Sequence, residues 1–192
     1  MAVYPITRYP TRLDLRDGSQ ATVRPMTAED GDLLLAFFLR IPEDERFFLK
    51  EDVTSPEVLH AWSANLDYDR ALPLLATVDG RVVGDAALIR QRGNSRSHIG
   101  EIRISVDPDY RRRGLGVAMM RELLEIAHDA ELELVLFELV KNVQDEAIRA
   151  AEFLGAFPSG TIDGLIKDQH GRVHDLVFLN LPLGKWWEWS QF

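Results

Sequence analysis

The 192-residue chain contains no cysteine. That excludes disulfides, thiolate metal sites and a cysteine-borne acyl intermediate, and it fits a reducing compartment. Long apolar runs are missing too: no stretch approaches the ~20 residues of a membrane span, and Arg8 and Arg12 stand among polar residues where a signal peptide would need an apolar segment. Positive charge is scarce. With 22 Lys and Arg against 31 Asp and Glu, the net charge is −9, and the chain lacks the broad basic face that nucleic-acid binding requires. The expectation is a cytoplasmic protein with neither a membrane nor a nucleic-acid partner. Its length suits one domain with a sizeable core, and no repeat or linker composition divides it.

Turn and cap signals order the rest. Residues 1–10, with Pro5 and Pro10, read as a loose arm. Asp17-Gly18 and Asp79-Gly80 each sit between extended runs, 11–15 with 20–25 and 72–78 with 81–90, and predict two hairpins. Thr27, with Asp30 three positions on, opens a helix whose apolar stripe is Leu33, Leu34, Phe37 and Phe38. Pro42 ends it and begins an acidic turn, and Ser55-Pro56 starts a second helix faced by Val58, Leu59, Trp62 and Leu66. A strand over 98–106 places Ile102, Ile104 and Val106 on one face and Glu101, Arg103 and Ser105 on the other. A helix from Leu115 to about Ala130 and a strand over 132–139 complete a strand-helix-strand unit, which implies parallel strands joined by a right-handed crossover. A helix from about Gln144 stops at Gly155. A last hairpin pairs 157–167 with 172–180.

The densest chemical signal lies between strand and helix at Asp107-Pro108-Asp109-Tyr110-Arg111-Arg112-Arg113-Gly114-Leu115-Gly116. A helix N-terminus with glycines at 114 and 116 offers backbone N–H groups to an anion that can approach closely, and three arginines add charge. The dinucleotide fingerprint fails, because Met119 stands where its third glycine belongs. The nucleotide P-loop fails for want of Gly-Lys-Ser/Thr.

What remains, Arg-x-x-Gly-x-Gly preceded by Val-x-Pro-x-Tyr, resembles the acyl-CoA pyrophosphate loop of the GNAT superfamily of N-acyltransferases. Residues 147–156, Ala-Ile-Arg-Ala-Ala-Glu-Phe-Leu-Gly-Ala, are similar to that family's helix after its fifth strand. The resemblance covers roughly residues 20–182. It implies an α/β (α+β) fold with a mixed, largely antiparallel sheet, flanked by helices and splayed between its fourth and fifth strands, in a single domain spanning 1–192. Residues 1–19 add an arm and an extra strand, and 184–192 form an aromatic tail.

The resemblance further implies acetyl-CoA as cosubstrate and no metal. Ile104 and Val106 would meet the pantetheine through main-chain atoms, and Arg111, Arg112, Arg113, Gly114, Leu115 and Gly116 would hold the pyrophosphate. Asn142 and Gln144 share the place of a family asparagine that touches the cofactor; helix capping is the competing role for both. Ala151 replaces the tyrosine that many members use as general acid. A thiolate, with a free thiol pKa of about 8.5, is a good leaving group without one, and Tyr110 and Tyr68 have no motif support for the role. Glu101 is the candidate general base, with a surface pair to Arg103 as its structural alternative. His170 and His174 with Asp168 and Asp175 suggest a metal cluster only if the turn bends sharply, since four extended residues span about 13 Å. His98 is a weaker candidate for proton transfer.

The implied reaction is direct transfer of acetyl from acetyl-CoA to a primary amine, on a small molecule or a protein lysine, within a ternary complex. The acidic segment 42–52 suits a cationic acceptor. A non-catalytic CoA-binding sensor of the same fold is the alternative. Trp186, Trp187, Trp189 and Phe192 in the tail are open to two readings, folding back on the sheet edge or joining two chains as a homodimer.

Overall fold

The structure is a computed structural model and describes residues 6–90 and 93–183. Its strands are β1 (Thr11–Asp14), β2 (Gln20–Pro25), β3 (Ala71–Val78), β4 (Arg81–Arg90), β5 (Ile99–Val106), β6 (Leu134–Val140), β7 (Phe157–Lys167) and β8 (Val173–Pro182). Its α-helices are α1 (Gly31–Phe38), α2 (Glu43–Arg46), α3 (Pro56–Ala64), α4 (Leu115–Asp129) and α5 (Asp145–Phe153). The strands form one sheet in the order β1-β2-β3-β4-β5-β6-β8-β7. All neighbours are antiparallel except β5 and β6, the parallel pair expected of the strand-helix-strand unit.

That pair explains the cleft. β5 and β6 are in register only at Ile99–Leu134, Gly100–Val135 and Glu101–Leu136. Beyond Glu101, β5 continues to Val106 against β4, and β6 continues to Val140 against β8. The sheet opens between two strands that no longer bond to each other. With the N-terminal extra strand counted as β1, these are the fourth and fifth strands of the expected fold.

Two apolar clusters hold the faces. On one, α4 places Leu115, Met119, Met120, Leu123, Ile126 and Ala127 against Ala86, Leu88 and Ile102. On the other, α1 and α3 pack Leu34, Phe37, Phe38 and Leu59 on Leu75 and Val82. Leu33, expected in the stripe of α1, is 38% exposed instead; the helix is two turns long and only one narrow face meets the sheet. A register shift at Ala76/Thr77 allows Val83 to face the α4 cluster while Val82 faces the other. Gly84 follows it, and a Cβ there would lie 2.7 Å from the Met119 sulfur and 3.4 Å from Leu115 Cδ2. The caps behave as the sequence suggests: Ser55 Oγ accepts from the Val58 N–H at 3.3 Å, and Asp30 accepts from the Thr27 N–H at 2.7 Å. A short 3-10 turn, Ala28–Asp30, precedes α1. The aromatic tail 184–192 lies outside the described residues. No described helix is long and apolar enough to cross a membrane.

Candidate active site

A cleft of about 870 Å³ follows the opening in the sheet. It is lined by the start of α4, by Ile104, Ser105 and Val106 of β5, by α2 and by the β7–β8 turn.

At the start of α4 the geometry is that of an anion seat. Gly114 is the N-cap of α4 at φ +87°, a left-handed conformation that glycine adopts without cost. The first helical bond is Ala118 N–H to Gly114 C=O at 3.0 Å, so the N–H groups of Leu115, Gly116 and Val117 precede the ladder. Arg112 is also left-handed, at φ +58°. For a residue with a Cβ that is a strained state, here held by the loop on either side. Gly116 faces Val106 and Ile104, 3.5 and 3.8 Å from where its Cβ would be, so Ile104 and Val106 do turn toward α4 as their alternation suggests. These amides fit the diphosphate of an acyl-CoA, and glycine at 116 leaves the approach open.

The three arginines divide. Arg111 forks onto Glu45 of α2, Nη1 to Oε1 at 2.8 Å and Nη2 to Oε2 at 2.6 Å, and its Nε donates to the Val106 carbonyl at 3.1 Å. Pairing with Glu45 raises its pKa. Arg113 bonds Asp17 at 2.8 Å and lies over the Tyr110 ring. Arg112 is exposed, with Glu146 at 3.9 Å. The β1–β2 turn braces this loop, Arg16 N–H donating to Arg113 C=O at 2.9 Å. Below it, buried Asp107 accepts from Arg40 Nε at 2.7 Å and Arg81 Nη2 at 2.8 Å, and these cations outweigh its burial and hold its pKa low.

Asn142 and Gln144 both line the cleft. Gln144 Oε1 accepts from the Val140 N–H at 2.7 Å, which caps the free edge of β6, while Asn142, at φ +67°, gives its N–H to Asp145. Ala151 is fully buried. No tyrosine lines the cleft among the described residues; Tyr68 donates to the Met26 carbonyl.

Glu101 sits where the paired part of β5 and β6 ends, and is 5% exposed. Its Oε1 accepts from Arg103 Nε at 2.7 Å and from Lys50 Nζ at 3.0 Å. Lys50 also reaches Glu138 on β6 at 2.9 Å. Burial pushes the Glu101 pKa up, but the two cations prevail and keep the carboxylate below its ordinary range. It is therefore ionised at neutral pH and able to receive a proton.

Two features escaped sequence reading. Asp85 on β4 is in register with Ser105, which lines the cleft, and its carboxylate has no hydrogen-bond partner among the described residues. Burial raises its pKa to about 7. The alternation of β4 could have placed it on that face, but not its lack of a partner. The second is the part Asp168 plays in the expected β7–β8 turn, and the packing of that turn on the segment after α2. Asp168 accepts the N–H groups of His170 and Arg172 at 2.9 Å each, Arg172 Nε at 2.7 Å and His174 Nε2 at 3.3 Å. Despite burial, those donors drive its pKa well below the carboxylate range. His174 meets the Phe48 ring edge-on at 5.5 Å, closing the turn against the segment after α2. The turn does bend sharply, yet no group of three or more metal-binding side chains occurs among the described residues. His98 is exposed, and its carbonyl accepts from Glu133 and Leu134.

The acetyltransferase (GNAT) family model matches residues 35–156. The L-amino acid N-acetyltransferase AaaT of Escherichia coli (strain K12) is 37% identical over 68 residues, 35% of this chain. The match spans 42% of that relative's own length. Among solved structures, the GNAT domain of S. lividans PAT has a TM-score of 0.74 at 20% identity, covering 90% of this chain and 96% of that one. The structure of yncA from Salmonella typhimurium with its cofactor acetyl-CoA has a TM-score of 0.72 at 18% identity, covering 86% of this chain and 95% of that one. At such identities the solved structures establish the fold.

Proposed function

The chain belongs to the acetyltransferase (GNAT) family, and from that premise we propose that it is an N-acetyltransferase moving acetyl from acetyl-CoA to a primary amine by direct transfer in a ternary complex. The observation that carries the reading is one cleft in which the glycine-capped start of α4 meets the unpaired edge of β5; Glu101 is outside that lining and stands on the same strand where its pairing with β6 ends. The N–H groups of Leu115, Gly116 and Val117 would hold the diphosphate. Ile104 and Val106 would line the pantetheine. Arg112 adds charge at the mouth, and Arg111 would share its guanidinium between Glu45 and the phosphates. Asn142 and Gln144 would border the cofactor from the α5 side. Acetyl-CoA supplies the activated acyl group; no metal enters the scheme.

An alkylammonium is not nucleophilic until it loses a proton, and Glu101 is the group we assign to take it, directly or through a water. The amine then forms its bond to the acetyl carbon as the carbon–sulfur bond breaks, and CoA departs as a thiolate. With Ala151 in place of a phenol, solvent carries the remaining surplus N–H proton of the new amide to that thiolate. Of the acidic residues lining the cleft, Glu45, Glu146 and Asp168 stand beside Arg111, Arg112 and Arg172, which leaves Asp44 as the carboxylate that supports an acceptor carrying positive charge. The sensor alternative is set aside, because the chain's family is one of enzymes.

The test is incubation of the purified protein with radiolabelled acetyl-CoA and a panel of polyamines, amino acids and lysine peptides. Labelled amide, formed one for one with CoA and with intersecting initial-rate patterns, is expected. Saturable acetyl-CoA binding without transfer to any amine would overturn it.

A further inference from the structure

Lys50 is a primary amine hydrogen-bonded to the carboxylate assigned as base; neither side chain is among those lining the cleft, which Leu49 reaches one residue earlier. Its Nζ lies 3.0 Å from Glu101 Oε1 and 2.9 Å from Glu138 Oε2, a primary ammonium held between a carboxylate on β5 and one on β6. Those strands part company immediately beyond Glu101 and Leu136, so the ammonium sits at the point where the sheet opens. It arrives there on the segment after α2, one residue past Leu49, which lines the cleft. The side chain is 47% exposed, so it is approachable from outside the protein core. The charges suit an acceptor amine as well, since Glu101 both binds the ammonium and is the assigned proton acceptor, while Glu138 fixes the second N–H.

We propose that Lys50 is itself an acetyl acceptor, modified by the protein that carries it. The proposal rests on the N-acetyltransferase reading. Nζ gives one proton to Glu101 to become a neutral amine, its lone pair forms the bond to the acetyl carbon of acetyl-CoA as the carbon–sulfur bond breaks, and the second N–H proton passes through solvent to the departing thiolate, so that CoA leaves as the thiol. No oxidant or further reactant is required. The product amide is uncharged and keeps a single N–H, so it cannot go on bridging Glu101 and Glu138 as an ion pair.

The sequence supplies its own controls, because it holds only three other lysines, Lys141, Lys167 and Lys185, of which Lys141 and Lys167 are exposed. The full-length protein is incubated with acetyl-CoA alone, and acetylation at each lysine is followed by peptide mass spectrometry. Lys50 should gain acetyl at least about tenfold faster than Lys141 and Lys167, by a first-order rate independent of protein concentration. Glu101→Gln should slow labelling at Lys50 by about 10²-fold and leave the slow background at Lys141 and Lys167 unchanged, with retention of the acetyl-CoA thermal shift certifying that the variant folds and binds. Equal labelling of all lysines, or a Lys50 rate indifferent to Glu101→Gln, would overturn the proposal. So would an unlabelled Lys50 in a preparation that acetylates an amine of the panel, and that result would leave the N-acetyltransferase reading standing. If neither Lys50 nor any amine is acetylated, the reading and the proposal fall together.

Discussion

The two sides of the opening between β5 and β6 are built from different materials. Toward α4 the surface is main chain: the N–H groups at the helix start, a left-handed Gly114, and a Gly116 with no side chain to obstruct them. Toward α2 and the β7–β8 turn it is side chain: Lys50 between Glu101 and Glu138, Glu45 forked with Arg111, Asp168 gathering four donors. In the proposed reaction the first arrangement would serve a ligand part that never varies, and a backbone seat is insensitive to which side chains surround it. The second can be altered one residue at a time. On that proposal, substrate choice would belong on the side-chain side.

The contrast breaks most sharply at Glu101. Glu101→Gln keeps the size and removes the basic oxygen, so turnover should fall by roughly 10²- to 10⁴-fold. The acetyl-CoA thermal shift should persist, and part of the rate should return at high pH, where more amine is already neutral. Near-normal turnover would make Glu101 a structural carboxylate. On the main-chain side, Gly116→Val should do the reverse, weakening acetyl-CoA binding by about 10²-fold, or close to 3 kcal/mol, with a folded protein in circular dichroism. Its Cβ would meet Val106 and Ile104 only at ordinary contact distance, and the circular dichroism separates a blocked seat from any strain added by the two γ-methyls.

Asp85 sharpens the contrast, being a carboxylate on the side-chain side with no partner among the described residues. Its folded pKa of about 7 stands above the ordinary 3.8. The folded state thus holds a proton that the unfolded chain gives up, and stability is lost as pH rises from about 4 to 7. Asp85→Asn should change the melting temperature little at pH 4. At pH 8 it should raise it by about 4–8 °C, on the order of 2 kcal/mol, measured by scanning calorimetry. Equal effects at both pH values would mean that Asp85 is not held neutral. The smallest effect is expected at the tie between the two sides. Glu45→Gln releases Arg111 toward the phosphates, so the Kd for acetyl-CoA should fall about 2- to 5-fold at low salt and less at high salt. Weaker binding would show that Glu45 holds Arg111 in a useful place.

The same division decided what the sequence made legible. Asp17-Gly18, Asp79-Gly80, Ser55-Pro56 and Arg-x-x-Gly-x-Gly are local signals, each read within a few residues, and the structure places hairpins and helix starts at them. Glu45 with Arg111, Lys50 with Glu138, and Arg40 with Asp107 are separated by 66, 88 and 67 residues. No periodicity couples such positions. Even the basic triplet read locally as one feature, whereas its members turn to Glu45, to solvent beside Glu146, and to Asp17. Leu33 missed its place for a related reason: a helical stripe says which residues share a face, and only the neighbouring elements determine how wide a face is covered.

Gly84 sets a clearance. With hydrogen in place of a methyl group it lets Met119 and Leu115 lie against the sheet, and Leu115 is the first residue of α4. The height of that helix above β4 and β5 is thus gauged by one missing carbon, well back from the loop itself. An alanine there would act as a shim. The clash would be with the Met119 sulfur, since Leu115 Cδ2 stays at contact distance; where Met119 did not bend aside, the helix would have to lift, and the N–H groups of its first turn with it. A thickness tolerance inside the core would then register at the mouth of the cleft as a misaligned seat, in a protein whose melting temperature had hardly moved.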